Sequence, residues 1–443
     1  MRRWNGWGDS DVTFDPPDGA ADMLEGLVGR GTPPRDATLE DVVAMVPDSR
    51  LPEHHLVVDD PEARALHSRG QSMADWIALR SGTDLVFTDG VARPSTDSEV
   101  REVLAYAEEV GARVIPYGGG TSVVGHVNPE PGDAPVLTLS LSRLASLRHF
   151  DARSQLATFG AGVTGPDLEA QLEQRGFTLG HFPQSFEYST LGGWVVTRSA
   201  GQQSMHYGRI DEMFAGGRLE TPVGTMEMPP FPGSAAGPDL REVVAGSEGR
   251  LGVLTEATVR VSPRPEHEEF HAVFFPDWQR AVDASRQIVQ ARVPLSMIRV
   301  STAIETTTSL TLAGHPWVVG ALERLLALRG AKEDKCMVLF GVTGRRTVVR
   351  TALKEAGAIA AEQGAVHVGQ TMGRSWHKNR FRAPYLRNTL WERGYAADTL
   401  ETATTWTGVS PMVEAVERAL RRGLADEEER VHVFSHLSHL YPT

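Results

Sequence analysis

The chain has 443 residues, 41% hydrophobic and 23% charged, enough for two or three domains with real cores. Its formal net charge of −13 argues against a nucleic-acid partner. Cys336 is the single cysteine, so no intramolecular disulfide can form and a reducing, cytoplasmic setting is expected.

Residues 1–84 are rich in Asp, Pro and Gly and read as a segment that wraps the surface, with short helices near 37–45 and 60–78. The start, Arg2-Arg3-Trp-Asn-Gly-Trp-Gly-Asp9, has no apolar h-region. No run approaches the ~18 apolar residues of a membrane span, so a lipid substrate would be met peripherally. His54-His55 reads as loop.

Asp97–Val110 has helical period and an Asp or Ser start signal. Val114 and Ile115 read as the end of a buried strand, stopped by Pro116. After Tyr117, residues Gly118, Gly119 and Gly120 let the backbone turn with no Cβ in the way. Consecutive N–H groups in such a turn can form an anion nest, and Thr121 and Ser122 add hydroxyls there. A pyrophosphate would fit. A lone Gly triplet is more often an ordinary turn. The pattern is neither the GxGxxG of a Rossmann fold nor a P-loop, because no Gly-Lys-Ser/Thr occurs in the chain.

Strand-like runs follow at 135–140 and 155–160, then a helix at 166–175. Between Pro183 and Gly208 small and hydroxylic residues dominate, among them Ser185, Ser189, Thr190, Thr197, Ser199 and Ala200. Such a run suits a backbone lying close against a flat ligand; the plainer reading is a long loop. Glycines 246, 249 and 252 stand at the entrance to a strand-like run, Thr255–Val261, and again suggest close backbone approach. Pro263, Pro265 and Glu266-His-Glu-Glu269 mark a boundary.

Beyond it, Phe270–Phe275, Ser296–Val300 and Met337–Val342 read as strands, with helices at Trp278–Ala291 and Thr347–Glu362. That order is the rhythm of a split βαβ, ferredoxin-like domain. Cys336 beside Met337-Val-Leu-Phe340 reads as core. Arg374, Tyr385 and Arg387 could hold a phosphate or carboxylate, or simply form Arg-rich helix faces. Val431–Tyr441 reads as a strand carrying His436 and His439, which would face opposite ways unless it bends. No metal site is expected, since there is no HExxH and no Cys ligand set.

The three glycine- and hydroxyl-rich stretches, in this order and spacing, resemble the FAD-binding domain of the vanillyl-alcohol oxidase, or PCMH, type. The resemblance runs from about Asp84 to Pro263. It implies an α+β fold: a PCMH-type FAD-binding domain of two α+β subdomains, then a ferredoxin-like cap. The expected domains are an N-terminal wrapping segment (1–84), the FAD-binding domain (85–264) and an incomplete FAD-linked oxidase C-terminal cap (265–443). The implied flavin contacts are Pro116, Tyr117, Gly118, Gly119, Gly120, Thr121 and Ser122 at the pyrophosphate. Gln184, Ser185, Ser189, Thr190, Thr197, Arg198, Ser199, Ala200, Glu248, Gly249, Leu251, Gly252, Val253 and Leu254 are the others. Some members attach FAD through a His in the Gly loop; here that position is Gly120, so non-covalent FAD is expected.

Arg3–Asp9, Gly180–Trp194 and Leu400-Glu-Thr…Trp406 narrow the resemblance to alkyldihydroxyacetonephosphate synthases and their bacterial relatives. Those enzymes exchange the acyl chain of acyl-dihydroxyacetone phosphate for a long-chain alcohol, with no net redox. The resemblance implies a small-molecule or lipid-phosphate substrate, a homodimer, and His436 at about the position of a family active-site Arg. His436 and Arg387 are therefore the catalytic candidates. The family's chain continues past the point matching Tyr441-Pro-Thr443, so the sequence reads as a fragment or a degenerate member. The alternatives are an FAD-linked dehydrogenase or oxidase of a 2-hydroxy acid, and a catalytically incomplete flavin-binding protein.

Overall fold

The computed structural model describes residues 1–17, 19–314 and 316–443. It divides into two compact units, the first comprising residues 1–12, 34–201 and 207–264, the second 13–33, 202–206 and 265–443.

In the first unit, strands β1 (Val57–Val58), β2 (Gly90–Ala92), β3 (Arg113–Tyr117) and β4 (Val136–Ser140) form a sheet in the order β1-β2-β4-β3. β2, β4 and β3 run parallel. All five residues of β4 are buried, as a strand with both faces covered requires. The crossover from β2 to β3 is the helix Asp97–Glu109, which buries Val100, Val103, Leu104 and Ala107 along one stripe. Its cap is Thr96, whose hydroxyl accepts from the Glu99 N–H, one position before the expected start.

Pro116 does not end β3. The strand continues to Tyr117, with Pro116 opposite Leu139. β3 is an edge strand, where a missing N–H need not interrupt a ladder.

Seven more strands follow: β5 (Leu147–Asp151), β6 (Leu156–Gly160), β7 (Phe177–Thr178), β8 (Phe214–Thr221), β9 (Gly224–Met228), β10 (Val253–Arg260) and β11 (Ser262–Pro263). Five make an antiparallel sheet in the order β5-β6-β10-β8-β9, while β7 pairs with β11. β8 is not evident in the sequence because its Gly216-Gly217 pair hides the alternation.

In the second unit, β12 (His267–Phe275), β13 (Met297–Ser301), β14 (Cys336–Gly344), β15 (Val366–His367) and β16 (His436–Leu437) form a sheet in the order β15-β12-β14-β13-β16. Every pairing is antiparallel. Helix Trp278–Gln290 joins β12 to β13 and helix Arg346–Glu362 joins β14 to β15, which gives the expected ferredoxin-like order.

One face carries Val273, Phe275, Ile298, Val300, Val338 and Phe340 against Ala281, Ile288, Ala352 and Ala356 of those two helices. The other carries Phe270, Ala272, Phe274, Met297 and Leu339 against Leu310 and Leu326. Leu310 and Leu326 belong to two helices, Ala303–Leu312 and Pro316–Leu328, inserted between β13 and β14. Cys336 is fully buried, and burial pushes its thiol up to about 12. Val431–Tyr441 is not one strand: only His436 and Leu437 pair, with Ser301 and Val300, and His439 turns the chain with φ 53°. Among the described residues no helix is long and apolar enough to cross a membrane.

Phe274 is fully buried at the centre of the second face. Phe274→Ala is expected to destabilise the second unit by about 3–5 kcal/mol, read as a lower urea midpoint at unchanged slope.

Candidate cofactor and active site

Three stretches of the first unit meet without room for side chains. Gly119 leads, because a Cβ there would lie 1.8 Å from the Tyr188 carbonyl oxygen. At Gly118 a Cβ would sit 2.3 Å from Thr190 Oγ1. Gly120 takes φ +63°, and its Cβ would strike the Tyr117 hydroxyl at 1.9 Å. The first stretch is therefore glycine because the second lies directly upon it.

The second stretch is held from behind. Thr190 caps the helix Leu191–Thr197, its hydroxyl accepting from Gly193 N–H at 3.4 Å. The Ser189 hydroxyl accepts from Trp194 Nε1 at 2.7 Å and donates to the Ser185 carbonyl at 2.9 Å. Thr197 Oγ1 donates to the Gly193 carbonyl. Arg198 closes the helix in a left-handed conformation, φ 51°, and bonds the Ala245 carbonyl and the Glu242 carboxylate.

The third stretch packs on that helix end: Gly246 N–H donates to Val195 O and Glu248 N–H to Val196 O. Gly249, at φ +80°, passes so close to Pro116 that a Cβ would meet the ring at 3.1 Å. All three stretches thus converge on the end of β3. Gly252 leads into β10, where Val253 and Leu254 are buried, while Leu251, Glu248 and Gln184 are exposed.

The N–H groups of Gly118 through Ser122 donate to no protein acceptor among the described residues, although the turn is partly buried. Successive donors in a turn lined by glycine are what a pyrophosphate takes. The residues present fit FAD at this place. Sequence reasoning passed over His181, which is fully buried, lies 2.7 Å through Nε2 from Ser199 Oγ, and stacks obliquely on Trp194. Its only signal was its place in the Gly180–Trp194 run.

In the second unit His436 finds partners absent from the sequence reading. Its Nδ1 lies 3.2 Å from Glu305 Oε1 and 3.1 Å from Arg299 Nη2, and Arg299 donates to the same carboxylate oxygen. Burial by itself raises the Glu305 carboxyl. The His436 hydrogen bond and the charges of Arg299 and His436 outweigh it and bring the pKa from 4.5 to about 2. Both Arg299 bonds use Nη2, so Nε and Nη1 remain for a ligand. His439 goes elsewhere, its Nδ1 3.1 Å from Ser204 Oγ.

Arg387 donates through Nε to the Ala397 carbonyl at 3.1 Å, and Tyr385 is buried. Arg374 lines a cavity of about 370 Å³ with Glu268, Glu269, Gln370 and His377. Among the described residues, His54, His55 and Glu102 bring side-chain N and O atoms within 4.8 Å of one another. The Leu56 N–H donates to His54 Nδ1, which favours a proton on the Nε2 facing Glu102.

Two family models match the chain: an FAD binding domain over residues 88–228 and the FAD linked oxidases' C-terminal domain over residues 264–443. The chain thus pairs an FAD binding domain with the C-terminal domain of FAD linked oxidases. Its cofactor is FAD, and the chain is similar to alkyldihydroxyacetonephosphate synthases. That of Dictyostelium discoideum is 31% identical over 393 residues, 86% of this chain and 64% of the relative. That of Trypanosoma brucei brucei is 29% identical over 391 residues, again 86% of this chain and 64% of the relative. A solved alkyldihydroxyacetonephosphate synthase superposes with a TM-score of 0.88 at 26% identity, covering all of this chain and 87% of that one. The chain thus spans 64% of the length of these two curated relatives.

Two outcomes follow from this geometry. Gly119→Ala forces a Cβ against the Tyr188 carbonyl. It should weaken FAD binding on the order of 10- to 100-fold by flavin fluorescence titration, the equivalent of about 1–3 kcal/mol of overpacking. The Glu305 carboxyl, depressed when folded, stabilises the second unit above pH 4.5, and that stability is lost as pH falls toward about 2. Glu305→Gln should flatten the pH dependence of urea unfolding across that window.

Proposed function

We propose that the chain is an FAD-dependent enzyme of the alkyldihydroxyacetonephosphate synthase type, exchanging the acyl chain of acyl-dihydroxyacetone phosphate for a fatty alcohol. The observation that carries this is the full-length structural likeness to a solved synthase, together with glycine stretches that meet at a donor-lined turn. When bound, FAD would supply an electron-accepting ring for the exchange of the substrate's oxygen substituent.

The residues of this chain then divide the work. Gly118 through Ser122 bind the pyrophosphate through backbone N–H groups. No histidine stands at Gly120, in keeping with a flavin held without a covalent bond. Arg299 and His436 share the Glu305 carboxylate, which fixes the guanidinium plane and leaves Nε and Nη1 to fork onto the substrate's phosphate.

The test begins with the absorption spectrum of the purified chain. Flavin released on denaturation supports non-covalent FAD; flavin that stays with the precipitate counts against it. Acyl-dihydroxyacetone phosphate plus a fatty alcohol should then yield an ether product without consuming an electron acceptor. A keto acid formed from a 2-hydroxy acid, with acceptor reduced, would overturn the exchange reaction in favour of a dehydrogenase. Arg299→Ala should lower kcat/KM on the order of 100-fold, about 2.7 kcal/mol, while flavin content stays that of the parent.

A further inference from the structure

The segment Arg2–Asp9 stood out in the sequence and has no part in the function proposed so far. It forms a tight turn, bridged between Arg2 and Asp9 and closed by Arg3 N–H donating to the Gly8 carbonyl at 2.7 Å. Gly6, Trp7 and Gly8 are buried. Arg80 Nε donates to the Asn5 carbonyl at 2.7 Å and Gln71 Nε2 to the Gly6 carbonyl at 3.3 Å. The turn is thereby fastened to the helix Met73–Ser81, whose Trp76 Nε1 holds Gln71 Oε1 at 2.8 Å.

The same support reaches the glycine loop. Gln71 N–H donates to the Ser122 carbonyl at 2.6 Å, and the Tyr117 hydroxyl donates to the Arg69 carbonyl at 3.1 Å. Trp7 meets the Tyr188 ring edge-on at 5.5 Å. Arg2 then bridges the two cofactor stretches: it donates to the Gly119 carbonyl and lies over the Tyr188 ring, 5.2 Å from its centre. Its charge is near enough to oppose the burial that raises the Tyr117 phenol.

Those contacts are one carbonyl oxygen and one ring face, and neither neutralises a guanidinium. Arg2 is exposed, so a ligand can reach it. Arg3, by contrast, turns back onto the Ser10 and Val12 carbonyls. A cation held at the Gly119 peptide, beside a run of N–H donors without protein acceptors, has the place and the charge for a diphosphate.

We propose that the Arg2–Asp9 turn is part of the cofactor site and that Arg2 supplies the cation for the FAD pyrophosphate. This rests on the FAD assignment above. The guanidinium adds charge to a nest that otherwise offers only dipoles, and Tyr188 with the Gly119 carbonyl holds it in place before the cofactor arrives.

The test is FAD titration of the deflavinated full chain, followed by fluorescence at several salt concentrations, for the parent, Arg2→Gln and Arg2→Lys. Arg2→Gln should bind FAD on the order of 10-fold more weakly, about 1.4 kcal/mol, with a shallower dependence of affinity on salt. Arg2→Lys should recover most of the loss, and the apo melting temperature should not move. An Arg2→Gln affinity within twofold of the parent would overturn the proposal. So would a lysine variant as weak as the glutamine variant with the parent's salt dependence, which would mark Arg2 as packing on Tyr188. Unchanged FAD affinity with a raised KM for acyl-dihydroxyacetone phosphate would place the cation on the substrate's phosphate instead. A parent that takes up no FAD at all would defeat the cofactor assignment itself, which the other outcomes leave standing.

Discussion

The cofactor site depends on one close approach: the backbone of Gly118-Gly119 against the backbone and hydroxyl of Tyr188 and Thr190. Side chains of any size at these two glycines would force the stretches apart. Thr190 is fixed in turn as the cap of a helix whose C-terminal end receives the third stretch, and Gly249 of that stretch returns to Pro116 at the end of β3. The circuit closes on itself. A shift at any one contact is passed to the other two, because packed backbone has little give compared with a rotatable side chain.

The second unit uses a different economy of parts. Its sheet is apolar on both faces over most of its width, and one polar cluster lies at the end where β13 pairs with β16. There one buried carboxylate, Glu305, holds Arg299 and His436 from separate elements. A carboxylate so strongly held in its charged form works as a fixed counter-charge rather than as a proton donor.

What could be read from the sequence follows from how local each signal is. The glycine loop was legible because positive φ and close approach leave few other residues possible. The ferredoxin-like order was legible because β12, β13 and β14 are long runs of apolar residues separated by helical periods. Pro116 misled because a proline inside a strand looks like a stop unless the strand is known to lie at an edge, and edge position is a property of the sheet. Arg299 was missed for a similar reason. On β13 it looks like an ordinary half-buried strand residue, and its partner His436 is 137 positions away. The 431–441 run alternates well enough to pass for a strand, yet only two of its residues find a neighbour to pair with.

The division of the chain between its units has a consequence for how the protein is made. Residues 13–33 belong to the second unit, yet they leave the ribosome before nearly all of the first, and 202–206 return to the second unit in mid-chain. Neither unit is a contiguous stretch that can be excised at a single boundary. A nascent chain must keep 13–33 unpartnered until residues beyond 265 emerge, and long-range closure of this kind slows folding. A cut between 264 and 265 would therefore leave 13–33 and 202–206, parts of the second unit, on the piece that holds the first.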